Sequence, residues 1–406
     1  SKQGGCYCEN CNYLRIGTAN VELSALFAPK PQGMTAANDW TKAMLTDGYP
    51  QLKQLYEMLG VRDNVMCGDV LKYPHNYNYV TRSMMYPWMA KHLRLSDDTP
   101  LVESDFQPLT EDDMKVWSDE HPAPTEVGIP HERKLLGWWK EQSDRKLKAM
   151  IREASADEAA AKKQLAEYRD VVGGAWKVIF DRELPMKEDL EVRKVSKKIF
   201  MGKPMDLYQI RHSGWGTTVN VILGEPSTTK ANATWFYVKS NAKSVKLDSS
   251  STRLVVPLFT DVSDRQELIN DKRSYSGLTF GYNRPSIVRQ FEQLLCVVAA
   301  FGDEQGHNVL MADGSDVAAA SMAVAVVAGE RLEQAEIVTD GFRFGSVDRY
   351  SDRSFVPGAS KYFDLPGLMS LRAPYPLTVA SDSAENLEMV KRVYRAADAA
   401  DQLEIK

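Results

Sequence analysis

The stretch Val65-Met-Cys-Gly-Asp-Val-Leu-Lys-Tyr-Pro-His-Asn-Tyr-Asn-Tyr-Val80 decides how this chain is read. An apolar run broken by Gly68-Asp69 leads into a single histidine, His75, directly after Pro74. An amphipathic segment, Tyr79 to Leu93, begins four residues later. Strand, loop and helix in that order present a side chain at the end of a sheet. Two readings of His75 stand side by side: a proton-transfer residue on a strand-end loop, or a loop residue packing against Tyr73 and Tyr77.

Upstream, Leu23 to Ala28 is a short apolar run stopped by Pro29 and Pro31, which predicts a buried strand feeding a loop. That loop, Thr35-Ala-Ala-Asn-Asp-Trp40, carries Asp39. A helix is expected from Tyr49 to Leu59, with Leu52, Leu55, Tyr56 and Leu59 on one face and Gly60 as its stop. The sequence therefore reads strand, acid loop, helix, strand, His loop, helix, which is the C-terminal half of an α/β sheet domain.

Downstream, residues 96 to about 140 are rich in proline and acid, with prolines at 100, 108, 122, 124 and 130, as in an arm laid over a surface. Helical segments are expected from Trp138 to Ile151 and Ala156 to Val172, broken by Gly173-Gly174. Past a charged stretch, Glu183 to Lys198, a second alternation begins. Strands are expected at Thr234–Lys239, Arg253–Asp261, Asn308–Ala312, Ala335–Thr339 and Pro376–Ala380, with helices at Pro285–Phe301, Val317–Ala328 and Ala384–Ala397. Alternation of this kind favours parallel, doubly wound sheets. The expected organisation is half of one domain (1–95), a connecting arm and helical segment (96–200), and a second domain (201–406).

Composition is that of an ordinary globular protein: 26% charged, 43% hydrophobic, net charge −5 over 406 residues, enough for two domains. Basic patches with interleaved aromatics are absent, so nucleic acid is not an expected partner. No stretch approaches the roughly 20 apolar residues of a membrane span. The start, Ser1-Lys-Gln-Gly-Gly-Cys6, reads as processed, truncated or incompletely recorded, and it indicates no compartment. Cys6, Cys8 and Cys11 could hold a metal, but a closed site needs a fourth ligand that nothing nearby supplies, so structural or disulfide use is expected. Cys67 and Cys296 are isolated in apolar contexts.

In a nucleophile–acid–His triad the carboxylate orients the imidazole and the imidazole takes the nucleophile's proton. Asp39 and His75 stand where acid and base belong in that chain order, with one helix and one strand between them. Asp39 also reads as a turn or helix N-cap beside Asn38, and Asp63 and Asp69 are rival acids too close to the second strand. No G-x-S-x-G precedes Asp39, and neither Ser1 nor Ser24 lies on a strand–turn–helix elbow. A second elbow-like place, Met311-Ala-Asp-Gly-Ser-Asp-Val317, puts Gly314 at the nucleophile position. No histidine follows Ser315, so this turn reads as a relic or structural elbow. His92, His121, His131 and His212 suggest no constellation.

The chain resembles the acetyl xylan esterase-like α/β-hydrolases with two tandem hydrolase-type domains. The resemblance rests on Gln3-Gly-Gly-Cys-Tyr-Cys-Glu-Asn10, Ala25-Leu-Phe-Ala-Pro-Lys-Pro-Gln-Gly-Met-Thr-Ala-Ala-Asn-Asp-Trp-Thr41 and Pro74-His-Asn-Tyr-Asn-Tyr79. It extends through Glu132-Arg-Lys-Leu-Leu136, Val171-Val-Gly-Gly-Ala-Trp176, Thr279-Phe-Gly-Tyr-Asn-Arg-Pro285, Asp340-Gly-Phe-Arg-Phe344 and Pro357 to Leu368, nearly the whole chain. It implies an α/β-hydrolase fold and a serine carboxylic-ester hydrolase acting on an acylated small molecule or carbohydrate, with acetylated carbohydrate the expected substrate. It implies Asp39 as acid and His75 as base, no metal or organic cofactor, and a secreted or periplasmic protein. The nucleophile and oxyanion loop would lie upstream of Ser1, so the expected partner is a missing N-terminal segment of the same protein. A second domain with a degenerate elbow would follow, either covering the site or mediating self-association. The rival expectation is a non-catalytic binding or assembly protein built on hydrolase-type folds.

Overall fold

The computed structural model describes residues 10–95, 102–151, 158–226, 233–239, 252–260, 276–304 and 307–406. In chain order its elements are α1 (Asn20–Ala25), β1 (Gln32–Ala37), α2 (Gly48–Met58), β2 (Val65–Val70), α3 (Tyr79–Leu93), α4 (Gly128–Ala149), α5 (Glu158–Tyr168) and α6 (Gly174–Phe180). There follow β3 (Leu190–Phe200), β4 (Lys203–His212), β5 (Thr217–Gly224), β6 (Ala233–Val238), β7 (Thr252–Leu258), α7 (Ser276–Phe280), α8 (Ser286–Phe301) and β8 (Asn308–Asp313). The chain closes with α9 (Ser315–Ala328), β9 (Gln334–Val338), α10 (Asp364–Ser370), β10 (Leu377–Ala380), α11 (Glu388–Ala396) and β11 (Leu403–Ile405). Two compact units result: Ser1–Leu135 with Lys272–Asn283, and Leu136–Asp271 with Arg284–Lys406.

The smaller unit is built on β1 and β2, which pair in parallel from Gln32↔Val65 to Ala37↔Val70. Val21, Leu52, Tyr56 and Val65, with Met34, form the apolar layer that α1 and α2 make with one face of this pair. The helix α3 covers the other face. A side chain at Gly33 would meet the Trp88 ring at 2.7 Å, and one at Gly68 would meet Met84 Sδ at 2.9 Å. The strand is made of small residues because large ones arrive from the helix.

This corrects the expected first strand. Leu23–Ala28 is not a strand: Asn20–Ala25 is helical, opened by Glu22 Oε2 accepting from the Ala19 amide at 3.0 Å. Leu26 and Phe27 are exposed beyond it. The strand is Gln32–Ala37, so the first three residues of the expected loop, Thr35 to Ala37, belong to it.

The larger unit carries a nine-stranded sheet among the described residues, in the order β11-β10-β9-β8-β6-β7-β5-β4-β3. Numbered from β4, the last eight strands in sequence run 1-2-4-3-5-6-7-8 across the sheet. The second, β5, is antiparallel to both neighbours, and the rest beyond it are parallel. That is an α/β-hydrolase sheet. The buried helix α9 follows the central strand β8, and α8 packs against α9. Arg372, fully buried, donates to Ala325 O, Gly329 O and Leu332 O at 2.6–2.7 Å and so satisfies the carbonyls where α9 ends. Burial pulls its pKa down to about 10.

Three further expectations change. The charged stretch Glu183 to Lys198 runs into the edge strand β3, Leu190–Phe200, whose charged residues are exposed. The strands β4, β5 and β11 were not anticipated. Gly173-Gly174 does not break the helix: the chain passes through a π-helical turn, Arg169–Gly173, straight into α6. Burial of Val172, Trp176, Ile179 and Phe180 outweighs the glycine penalty of about 1 kcal/mol per residue. The helix expected from Trp138 starts at Gly128, with Pro130 in the first turn, where its missing N–H costs nothing.

Candidate functional site

β1 ends at Ala37 and β2, its parallel neighbour, at Val70, so the two following loops leave the same end of the sheet. The loops are tied together where the Asn38 amide donates to Tyr73 O at 2.9 Å. Asp39 and His75 therefore meet: His75 Nδ1 lies 2.7 Å from Asp39 Oδ2.

The two side chains differ sharply in environment. The Asp39 side chain is 7% exposed and that of His75 67%. Asp39 Oδ1 accepts from the Thr41 amide at 2.6 Å and from Thr41 Oγ1 at 2.5 Å, while Thr41 Oγ1 accepts from the Ala37 amide at 3.0 Å. Both carboxylate oxygens are thus occupied, one by the turn and one by the imidazole. Burial alone would raise the Asp39 pKa, but the Thr41 hydroxyl and amide, followed by His75, outweigh it and hold the carboxyl below its ordinary value.

His75 is positioned from three sides. The Trp40 ring lies against it, centroids 4.3 Å apart. Behind it, Asn78 caps α3 by accepting from the Thr81 amide at 3.1 Å. Arg82, one turn into α3, donates from NH1 to Tyr77 O at 2.7 Å and pins the His loop to its helix. The same guanidinium pairs Glu103 through Nε at 2.6 Å and NH2 at 2.8 Å, and the Tyr86 hydroxyl also binds Glu103. Arg82 and then Tyr86 hold the Glu103 pKa down to about 2. Sequence reading gave Arg82, Tyr86 and Glu103 no role; Glu103 lies in a stretch of scattered acids where nothing marks it out.

With Nδ1 held by a carboxylate, an exposed imidazole can take and return a proton at Nε2. Among the described residues no hydroxyl or thiol hydrogen-bonds to that nitrogen. Burial raises the thiol pKa of Cys67 to about 11 and of Cys296 to about 12, which keeps both protonated. Cys6 and Cys8 lie outside the described residues. Of the other five histidines, His131 pairs with Glu126 and His307 with Glu333, His212 stacks on Trp215, and His92 lies against Trp88, centroids 4.2 Å apart. No cluster of three or more His, Cys, Asp or Glu residues fit for a metal occurs among the described residues. No helix there is long and apolar enough to cross a membrane.

The corresponding strand ends of the larger unit hold a different set. Gly314 joins β8 to α9 at φ 121°, a conformation that favours glycine, and a Cβ there would meet Asp316 Oδ1 at 3.0 Å. Ser315, next along, is the first residue of α9. After β10, the side chain of Asp382 is fully buried and bound by Arg343 NH1 at 2.9 Å and NH2 at 2.8 Å, by Thr339 Oγ1 at 2.9 Å and by the Ser383 amide at 2.9 Å. Burial would raise its pKa; Arg343, then Thr339, take it below the ordinary value. The Asp340–Phe344 motif was read without a role for Arg343, and only the fold brings it to Asp382.

No protein-family model matches the chain, and no curated protein matches it. Solved structures similar to it include a candidate acetyl xylan esterase from Bacteroides fragilis, 12% identical, covering 64% of this chain and 80% of its own, TM-score 0.42. Others are a carbohydrate esterase family 15 glucuronoyl esterase from Caldicellulosiruptor kristjansonii (11%, 60% and 78%, 0.39) and a glucuronoyl esterase catalytic domain from Hypocrea jecorina (11%, 60% and 76%, 0.37).

Proposed function

We propose that this chain supplies the acid and base of a serine carboxylic-ester hydrolase. The observation that carries the reading is the 2.7 Å contact between a buried, doubly satisfied carboxylate and one nitrogen of an exposed imidazole at adjacent parallel strand ends. In the proposed reaction a serine hydroxyl attacks the acyl carbonyl as His75 Nε2 takes its proton. His75 then gives the proton to the leaving alcohol, and Asp39 stabilises the imidazolium formed in between. Water repeats the sequence on the acyl-enzyme. The serine and the amides that would hold the oxyanion are assigned to a segment N-terminal to Ser1, on the strength of the resemblance carried by Ala25–Thr41 and Pro74–Tyr79. That resemblance also favours acetylated carbohydrate as substrate.

For the larger unit, two observations, Arg343 paired with Asp382 and a glycine at the turn into α9, favour a non-catalytic role, in binding or assembly. A guanidinium stays charged throughout the working pH range and cannot act as a base.

The test is hydrolysis of p-nitrophenyl acetate by a polypeptide that includes the upstream segment. His75→Ala is expected to remove turnover while circular dichroism and Tm stay unchanged. Retained turnover in that variant would take His75 out of the mechanism.

A further inference from the structure

The proline- and acid-rich arm is fastened to α3 through Glu103. Both its carboxylate oxygens meet Arg82, Nε to Oε1 at 2.6 Å and NH2 to Oε2 at 2.8 Å, and the Tyr86 hydroxyl binds Oε1 as well. The two charged side chains are 35% and 24% exposed. Apolar packing does not hold the arm here: Val102 and Phe106, flanking Glu103, are 70% and 78% exposed. With Arg82, Tyr86 and Ser104 they line an open cavity of about 600 Å³. The carboxylate is the attachment.

That attachment reaches the His loop through one guanidinium. Arg82 gives Nε and NH2 to Glu103 and donates from NH1 to Tyr77 O at 2.7 Å. Tyr77 lies two residues after His75 and precedes α3, which begins at Tyr79. The first amides of the helix serve other acceptors: Thr81 N bonds the Asn78 side chain, and Arg82 N bonds Asn78 O. A bidentate carboxylate fixes the plane of a guanidinium, and here that plane aims NH1 at the Tyr77 carbonyl. Without Glu103 the guanidinium is free to turn into water, and the carbonyl loses its donor. On the other side of His75 the loop is tied at Tyr73 O, which accepts from the Asn38 amide beside Asp39. His75 therefore sits between two anchors, one on the acid loop and one that depends on the arm.

We propose that Glu103 is a positioning residue for His75: the arm, docked through Glu103 on Arg82, holds the imidazole in register with Asp39. The kinetic consequence rests on the esterase reading, whereas the geometric one, the contact of His75 Nδ1 with Asp39, belongs to the chain itself.

The geometric consequence is read by proton NMR of the full chain, in the low-field imidazole Nδ1–H resonance that a hydrogen bond to a carboxylate produces, identified by its loss in Asp39→Asn. Glu103→Gln keeps the shape and removes the charge, so the resonance should broaden or disappear with the circular dichroism spectrum retained. Arg82→Lys should act the same way, because one ammonium cannot serve Tyr77 O and both carboxylate oxygens. Glu126→Gln, elsewhere on the arm where Glu126 pairs with Lys134, should leave the resonance unchanged. With the upstream segment present, Glu103→Gln should lower kcat for p-nitrophenyl acetate about tenfold and leave KM within about twofold, as expected of a displaced catalytic group rather than of lost binding. The proposal is overturned by absence of the resonance from the unmodified chain, by a resonance that Glu103→Gln and Arg82→Lys leave sharp, by variants that lose Tm with kcat unchanged, or by an equal effect of Glu126→Gln. A resonance that responds as predicted, with no turnover even in the unmodified polypeptide, would remove the esterase reading and leave the positioning of His75 by Glu103 in place.

Discussion

The two units each place a buried aspartate just past a parallel strand, and they give it opposite partners. Asp39 follows β1 and meets His75; Asp382 follows β10 and meets Arg343. The supporting bonds are alike. Asp39 takes a threonine hydroxyl and a backbone amide from Thr41, and Asp382 takes a threonine hydroxyl from Thr339 and an amide from Ser383. In both, the carboxyl pKa lies below its ordinary value despite burial. What separates them is whether the partner can give up its proton. The imidazole can, and most of its surface is open. The guanidinium cannot, and on the proposed reading its pair serves as a structural lock. A carboxylate at a strand end is therefore no evidence of catalysis until its partner is known.

The comparison is broken or sharpened by substitutions at each partner. The largest effect is expected on ester turnover in the smaller unit, where Asp39→Asn should lower kcat about 10³-fold or more, because it removes the charge that fixes the imidazole tautomer. Steady-state p-nitrophenyl acetate kinetics check this. The equivalent cut in the larger unit, Arg343→Met, should leave turnover per folded molecule unchanged and cost about 3 kcal/mol of stability, the penalty of a buried carboxylate left unpaired. Urea unfolding measures it. If Arg343→Met lowered kcat as Asp39→Asn does, the division of roles would fail.

A smaller effect is expected from Thr41→Val. It removes the hydroxyl that bridges Asp39 and the Ala37 amide, costing about 1–2 kcal/mol. The pH dependence follows from the sign of the shift. A carboxyl whose folded pKa is depressed contributes stability above its unfolded value and loses it as pH falls through the folded one. The stability difference between wild type and Thr41→Val should hold from pH 7 to pH 5 and shrink below about pH 4. A difference that grew on acidification would contradict the placement of Asp39 as an ionised acceptor.

Much of the smaller unit was legible in sequence because punctuation marks it. Asn78 fixes the start of α3 at Tyr79, Gly60 sits past the end of α2 with φ 75°, and Pro74 sets off the His loop. The first strand was misplaced because its residues, Gly33, Thr35, Ala36 and Ala37, carry no apolar signal of their own; Trp88 and Met84, more than fifty and fifteen residues later in sequence than their respective contacts Gly33 and Gly68, supply the bulk. In the larger unit the parallel strands β6 to β10 were readable as buried apolar runs, whereas β3 and β4 alternate too weakly against their charges to be seen and β11, three residues long, is too short to show a pattern. Asp39 and His75 could be named from chain order together with the resemblance carried by Ala25–Thr41 and Pro74–Tyr79. Arg343 and Asp382 could not be paired, because nothing in sequence says that two residues 39 positions apart share a strand-end pocket.

The most direct measurement is fluorophosphonate labelling of a polypeptide that includes the upstream segment, with the modified residue mapped by mass spectrometry. The account predicts a single labelled serine N-terminal to Ser1, with labelling lost in His75→Ala and kept in Arg343→Met. A label on Ser315, or labelling indifferent to His75, would contradict it.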